Sequence, residues 1–163
     1  MKKNPLLFWL LLFGCVWWVG GHNESGGENS SGLIIDVYKT PTCGCCNFWV
    51  SHLEKSGIET RTYDYASLHE VKERFGIKED LVSCHTGVSK SGYFFEGHIP
   101  AKFILKFLMD PPSEAKGLAV PGMPMGSPGM EMGDRFDPYS IFLVKLDGSI
   151  EVYAEIKTME DQY

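Results

Sequence analysis

The chain has 163 residues, 44% of them apolar, with 15 basic against 21 acidic side chains and a net charge of −6. That is enough apolar material for one domain with its own core. The acidic balance excludes the Lys/Arg-driven neutralisation of phosphates on which nucleic-acid binding rests. Setting aside residues 1–21, which hold Lys2 and Lys3 and no acid, takes the remainder to about −8.

The N-terminus reads as a targeting segment. "MKK" is a positive n-region, and "PLLFWLLLFGCVWWVGG" follows as an apolar run of about fifteen residues, short for a membrane span and suited to a secretory h-region. "LFGC" also has the form of a lipobox, with Leu12 and Gly14 ahead of Cys15, although Phe13 is unusual in such a motif. Three fates stay open: a cleaved signal peptide, lipidation at Cys15, or a retained anchor. Each places the main domain outside the cytoplasm, periplasmic or exported, with the membrane met only through this segment. "HNESGGENSSG", residues 22–32, which includes His22, is polar and Gly/Ser-rich and reads as a flexible linker.

The domain proper is expected over residues 33–157, with 158–163 as a tail. "LIIDVY" (33–38) is a short buried strand and "KTPT" a turn. From Cys43 to Ser56 the pattern is helical, because Cys46, Trp49, Val50 and Leu53 share a face, and Gly57 caps the end. "IETRTY" (58–63) is a second strand. Leu68, Val71 and Phe75 recur at helical spacing before Gly76. "TGVSKSGYFFEGH" reads as a hairpin turning at "SKSG". Pro100 opens a helix to about Met109, with Phe103, Ile104, Phe107 and Leu108 on its apolar side, and Pro111 and Pro112 end it. Residues 117–138 are expected as one long Gly/Pro/Met loop. "YSIFLVKLDGSIEVYAEI" closes the chain as a hairpin with its turn at "DG". The order predicts an α/β class: a thioredoxin-like βαβ-αββα sheet with an added C-terminal β-hairpin and the long Met/Gly/Pro loop.

In that arrangement "PTCGCCNFWV" sits between the first strand and its helix, at the usual ligand crevice of an open α/β sheet. Cys43 falls near the N-cap, and Cys45 and Cys46 fall in the first turn, where unpaired N–H groups and the helix dipole favour thiolates. Such thiols suit disulfide exchange or soft-metal binding. Cys43 and Cys46 form a C-x-x-C pair, to which a third adjacent thiol adds only the risk of scrambling. A metal site gains from it, since thiolate sulfur bridges ions and Cu(I) accepts low-coordinate bridged sites. Zinc prefers one closed tetrahedron; Cys43, Cys46, Cys84 and a histidine would supply it but leave Cys45 over. Three thiols in four residues close no useful loop, which argues against a structural disulfide framework.

Cys84 is the expected fourth ligand, nearing the start of the first helix. His85 follows it, and on a regular strand neighbours point to opposite faces, so His85 is expected either beside the ligands or outside the site. His98 ends a strand and is a ligand or a hydrogen-bonded structural histidine. Met123, Met125, Met130 and Met132 sit in "AVPGMPMGSPGMEMG", where no regular face calls for filler; each is either a thioether of the kind that selects Cu(I) or a plug of a loop folded over the domain, and a loop stiffened by Pro121, Pro124 and Pro128 could cover the cysteine turn. His52 and His69 are expected to face solvent. Trp49 and Tyr93 to Phe95 are expected in the core. Asp64, Glu96 and Asp134 are expected to be solvated acids. No Ser/His/Asp triad, phosphate loop or paired-carboxylate site stands out.

"VYKTPTCGCCNFWVSHLEKSG", "SCHTGV", "EGHIPAKFILKFL" and "GLAVPGMPMGSPGMEM" together resemble a bacterial family of thioredoxin-like, copper-resistance-associated metal-binding proteins, the CopG-like family, over residues 36 to about 146. The resemblance implies an exported thioredoxin-like domain serving copper tolerance and copper binding through Cys43, Cys45, Cys46 and Cys84. It assigns nothing to the methionine loop. The expected cofactor is copper, Cu(I) or Cu(II), as one ion or several in a redox-active cluster, with other copper-resistance proteins as partners. Whether the protein is an enzyme stays open: copper redox activity is one form, and a thiol–disulfide oxidoreductase using Cys43 and Cys46 is the alternative.

Overall fold

A computed structural model describes residues 33–163. The expected targeting segment (1–21, with Cys15) and the linker with His22 lie outside the described residues. Among the described residues no helix is long and apolar enough to cross a membrane.

The chain runs β1 (Ile34–Lys39), α1 (Gly44–Lys55), β2 (Glu59–Asp64), α2 (His69–Phe75), a 3-10 turn at Glu79–Leu81, β3 (His85–Ser89), β4 (Phe94–Glu96), α3 (Ala101–Met109), β5 (Ala115–Ala119), β6 (Tyr139–Lys145), β7 (Ile150–Ile156) and a final 3-10 turn, Met159–Gln162. It is a mixed α/β fold built on one seven-stranded sheet in the order β2-β1-β3-β4-β5-β6-β7. β1 is parallel to β2 and antiparallel to β3, with Val37 opposite Thr62 and Gly87. β3 and β4 form the expected hairpin, and β6 and β7 the second one.

The main core lies on one face of the sheet. Trp49 and Leu53 of α1, and Ile104 and Phe107 of α3, meet Ile35, Val37, Phe95, Leu118 and Ile141 there. The helix periodicity explains this: α1 buries Cys46, Trp49 and Leu53, one position per turn. The opposite face is smaller, where Ile77 and Leu81 cover Phe94, Ala119 and Val144. The buried Trp49 indole N–H donates to the Ile99 carbonyl at 2.9 Å, tying α1 to the segment after β4. Gly57 and Gly76 follow α1 and α2 with positive φ of 82° and 62°, as their expected stop roles require.

The expected loop over residues 117–138 is too long at its start. Ala115–Ala119 forms β5, which fills the middle of the sheet between β4 and β6. Its sequence, AKGLA, has little β-preference. Gly117 is needed because the Phe94 backbone and ring press on its Cα, leaving no room for a side chain. The final residues pack as well, since Gln162 is buried, accepting from the Tyr139 hydroxyl at 2.7 Å and donating to the Gly126 carbonyl at 3.0 Å.

Candidate metal centre

The turn from β1 into α1 places Cys43 at the N-cap, backed by its N–H donating to the Thr40 carbonyl at 3.2 Å, and puts Cys45 and Cys46 in the first helical turn. No side chain caps this helix start, so its first N–H groups have no side-chain acceptor from the N-cap residue. Cys84, 38 residues beyond Cys46, comes in from the segment before β3. Its Sγ lies 3.5 Å from that of Cys46 and 3.8 Å from that of Cys45, and Cys45 is 3.4 Å from Cys43. Cys43 and Cys46 are joined as a disulfide, and Cys45 and Cys84 are free. All four sulfurs lie within 4.8 Å of one another.

Two histidines adjoin Cys84. Its Sγ is 3.3 Å from Nδ1 of His85 and 3.1 Å from Nε2 of His98. Of the two placements expected for His85 it takes the one beside Cys84, because Cys84 precedes β3 and escapes strand alternation. His98 is buried and its Nδ1 lies 2.8 Å from the Pro128 carbonyl, which only accepts. A neutral His98 therefore carries its proton on Nδ1 and turns the Nε2 lone pair to Cys84. His85 is also fully buried, with its ring centroid 4.2 Å from that of Trp49, and its Nε2 has no hydrogen-bond partner.

Burial, then the neighbouring Cys45, pushes the Cys84 thiol up to about 12. Burial drives His85 well below its usual range, reinforced by His98 and Lys72. Burial also lowers His98, against the opposing Pro128 carbonyl. Without a cation the site thus favours a protonated thiol and neutral imidazoles. A bound cation reverses that preference by paying the desolvation cost of a thiolate. Four sulfurs and two imidazoles form a soft donor set of the kind that fits Cu(I).

Near Cys84 lies Glu96, an acid expected in solvent. Glu96 is fully buried: it pairs with Lys72, and accepts from the Ser83 N–H at 2.6 Å and the Thr86 hydroxyl at 2.6 Å. Alternation along β4 puts this side chain on the face of Phe94, opposite the main core, beside Thr86 of β3, its register partner. Burial raises its pKa, and Lys72 and the hydroxyl oppose the rise. Because Ser83 adjoins Cys84, this pair anchors the cysteine's backbone. Asp64 is exposed and pairs with the buried Lys39 at 2.7 Å, and Asp134 is exposed as expected. His69 is exposed as expected. His52 is not: it is half-buried, and its Nε2 accepts the Ala101 N–H at 2.9 Å at the start of α3.

The proline loop does lie over the cysteine turn. Gly129, at φ 89°, presses so close that a Cβ there would stand 2.7 Å from the Cys45 carbonyl oxygen and 2.8 Å from the Trp49 nitrogen. This brings Met130 and Met132 to a cleft of about 700 Å³ that Cys45 and Phe48 also line. Met125 lines a separate cleft with Arg135 and Phe136, and Met123 is exposed and lines neither. The sequence pattern offered no means of separating the four.

A family model described as "Protein of unknown function, DUF411" matches residues 81–130, which include Cys84, His85, His98 and three of the loop methionines. No curated protein matches the chain. Two solved structures do. One, described as copper resistance protein CopG, form 2, is 44% identical with a TM-score of 0.73, covering 77% of this chain and 99% of that one. The other, form 1, is 46% identical with a TM-score of 0.72, covering 76% and 97%. With that identity over three quarters of this chain and nearly the whole of each solved one, the chain belongs to the CopG copper-resistance protein family.

Proposed function

We propose that the protein is an exported copper-binding protein of copper resistance, holding Cu(I) through Cys43, Cys45, Cys46 and Cys84 on a thioredoxin-like scaffold. The observation that carries the reading is the gathering of four sulfurs within 4.8 Å from two segments far apart in sequence. Four sulfurs in so small a volume suit bridging of more than one ion. The Cys43–Cys46 disulfide occupies two of them. Loading the full set needs its two-electron reduction by an external thiol or phosphine, which yields two thiols. The thiols then release their protons to water as they bind the ion. His98 and His85 stand beside Cys84 as nitrogen donors or hydrogen-bond partners of the loaded site. Redox cycling between Cu(I) and Cu(II) and passage of copper to other copper-resistance proteins extend the same reading.

The test is copper content and X-ray absorption of the reduced, anaerobically purified protein. More than one copper per chain, with sulfur ligands and short Cu–Cu vectors, is the expected outcome. Equal Cu(I) binding when all four cysteines are replaced by serine sinks the reading.

The disulfide supports a second reading, a thiol–disulfide oxidoreductase using Cys43 and Cys46. On that reading, metal-free protein reduces or oxidises a model disulfide, and Cys45→Ser keeps the activity. On the copper reading, Cys45→Ser lowers the copper content.

A further inference from the structure

Each free thiol opens onto its own cleft. Cys84 lines one of mixed polarity with Leu68, His69, Lys72, Val82 and Ser83, which holds no other sulfur. Cys45 lines the larger one with Phe48, Met130 and Met132. There the two thioethers are graded in depth: Met130 is partly buried, and Met132 is 58% exposed. Their segment is firmly held. Gly129 sits against the first turns of α1, the Pro128 carbonyl accepts from His98, the Gly126 N–H donates to the Met130 carbonyl at 2.9 Å, and Gln162 donates to Gly126. His52 also lines the cleft, but its Nε2 is taken by the Ala101 N–H, so a neutral His52 carries its proton on Nδ1 and offers no lone pair.

We propose that Cu(I) reaches the cysteine cluster through this cleft, taken first by the thioethers of Met132 and Met130 and passed to Cys45. This deepens the copper-binding reading and rests on it. A thioether is a neutral, soft donor that loses no proton on binding, so it takes Cu(I) from solution without a deprotonation step and leaves the ion its single positive charge for the thiolate to cancel. Thiolate binds the same ion more strongly, so the sequence from methionine to cysteine runs downhill. In the exchange a thioether lone pair forms the new bond to copper as the carrier ligand leaves with its own pair. The Cys45 sulfur then bonds to copper, its proton passes to water, and the thioether departs neutral. Copper stays Cu(I) throughout, and no electron is transferred.

The test uses the full chain, reduced with a phosphine, and Cu(I) supplied as its bathocuproine complex, whose colour reports transfer. M130L/M132L is expected to load about tenfold more slowly or worse, with the final copper per chain unchanged. The control pair M123L/M125L is expected to load as the wild type does. Equal loading rates for M130L/M132L and wild type overturn the proposal. A second measurement separates its failure from that of the copper reading. In Cys45→Ser/Cys84→Ser protein with its disulfide intact, Ag(I) should shift the Met130 and Met132 methyl resonances and leave those of Met123 and Met125 in place. Unmoved Met130 and Met132 methyls overturn the thioether site. A wild-type chain that takes up no copper while those methyls shift overturns the cysteine cluster and leaves the thioether site standing.

Discussion

At the scale of single residues, two buried polar groups decide how the site is held. Glu96 faces Lys72 in the interior, and each compensates the other's charge. Glu96→Gln leaves the Lys72 ammonium buried without a counter-charge, and urea unfolding should show a loss of about 3–5 kcal/mol. Replacing both partners with apolar side chains should recover much of that loss, since the desolvation cost goes with the charges. His52 gives a pH signature. Burial lowers its pKa below the ordinary 6.5, with Lys55 acting in the same direction and Glu131 against it. A depressed histidine contributes stability that is present above its unfolded pKa and is lost as pH falls through the folded value, because the unfolded chain takes the proton first. His52→Gln keeps an acceptor for the Ala101 N–H at every pH. The stability advantage of wild type over this variant should therefore shrink between about pH 7.5 and about pH 5, measured by urea midpoints.

At the scale of elements, the proline loop is fastened to α1 at one point where only glycine fits. Gly129→Ala adds a Cβ against the Cys45 carbonyl and the Trp49 nitrogen, at a positive φ that costs an L-residue further. The loop should lift from the helix at a cost of about 1–3 kcal/mol, while the seven-stranded sheet, which does not include these residues, stays folded. Limited proteolysis should cut within residues 120–138 in the variant before it cuts wild type, and far-ultraviolet circular dichroism should match. Identical cleavage patterns would show that Gly129 does not hold the loop.

At the scale of the whole molecule, the sulfur cluster exists only in the folded chain. Cys84 meets the α1 thiols because β3 lies beside β1 in the sheet. An ion bound by the folded state alone stabilises it by mass action, about 2.7 kcal/mol at a free concentration a hundred times the dissociation constant. The reduced protein should melt higher with Cu(I) under anaerobic conditions. Cys84→Ser should lose most of that rise, because it removes the one sulfur brought from a distant segment. An undiminished rise in the variant would confine binding to the C-x-C-C turn.

The sequence by itself determined the local elements and the chemistry they carry. Helical spacing marked α1 with its thiols in the first turn, glycines marked the helix ends, and "SKSG" and "DG" marked both hairpins, because these signals act over a few residues of backbone. Periodicity could not reveal β5, whose AKGLA is held by its neighbours in the middle of the sheet and not by its own propensity. Nor could it bury Glu96, set His85 and His98 against Cys84, or separate Met130 and Met132 from Met123 and Met125. Those outcomes depend on strand register and on where a loop closes, which bring together side chains tens of residues apart. Only the tertiary structure decided them, since a contact between distant segments has no local pattern to announce it.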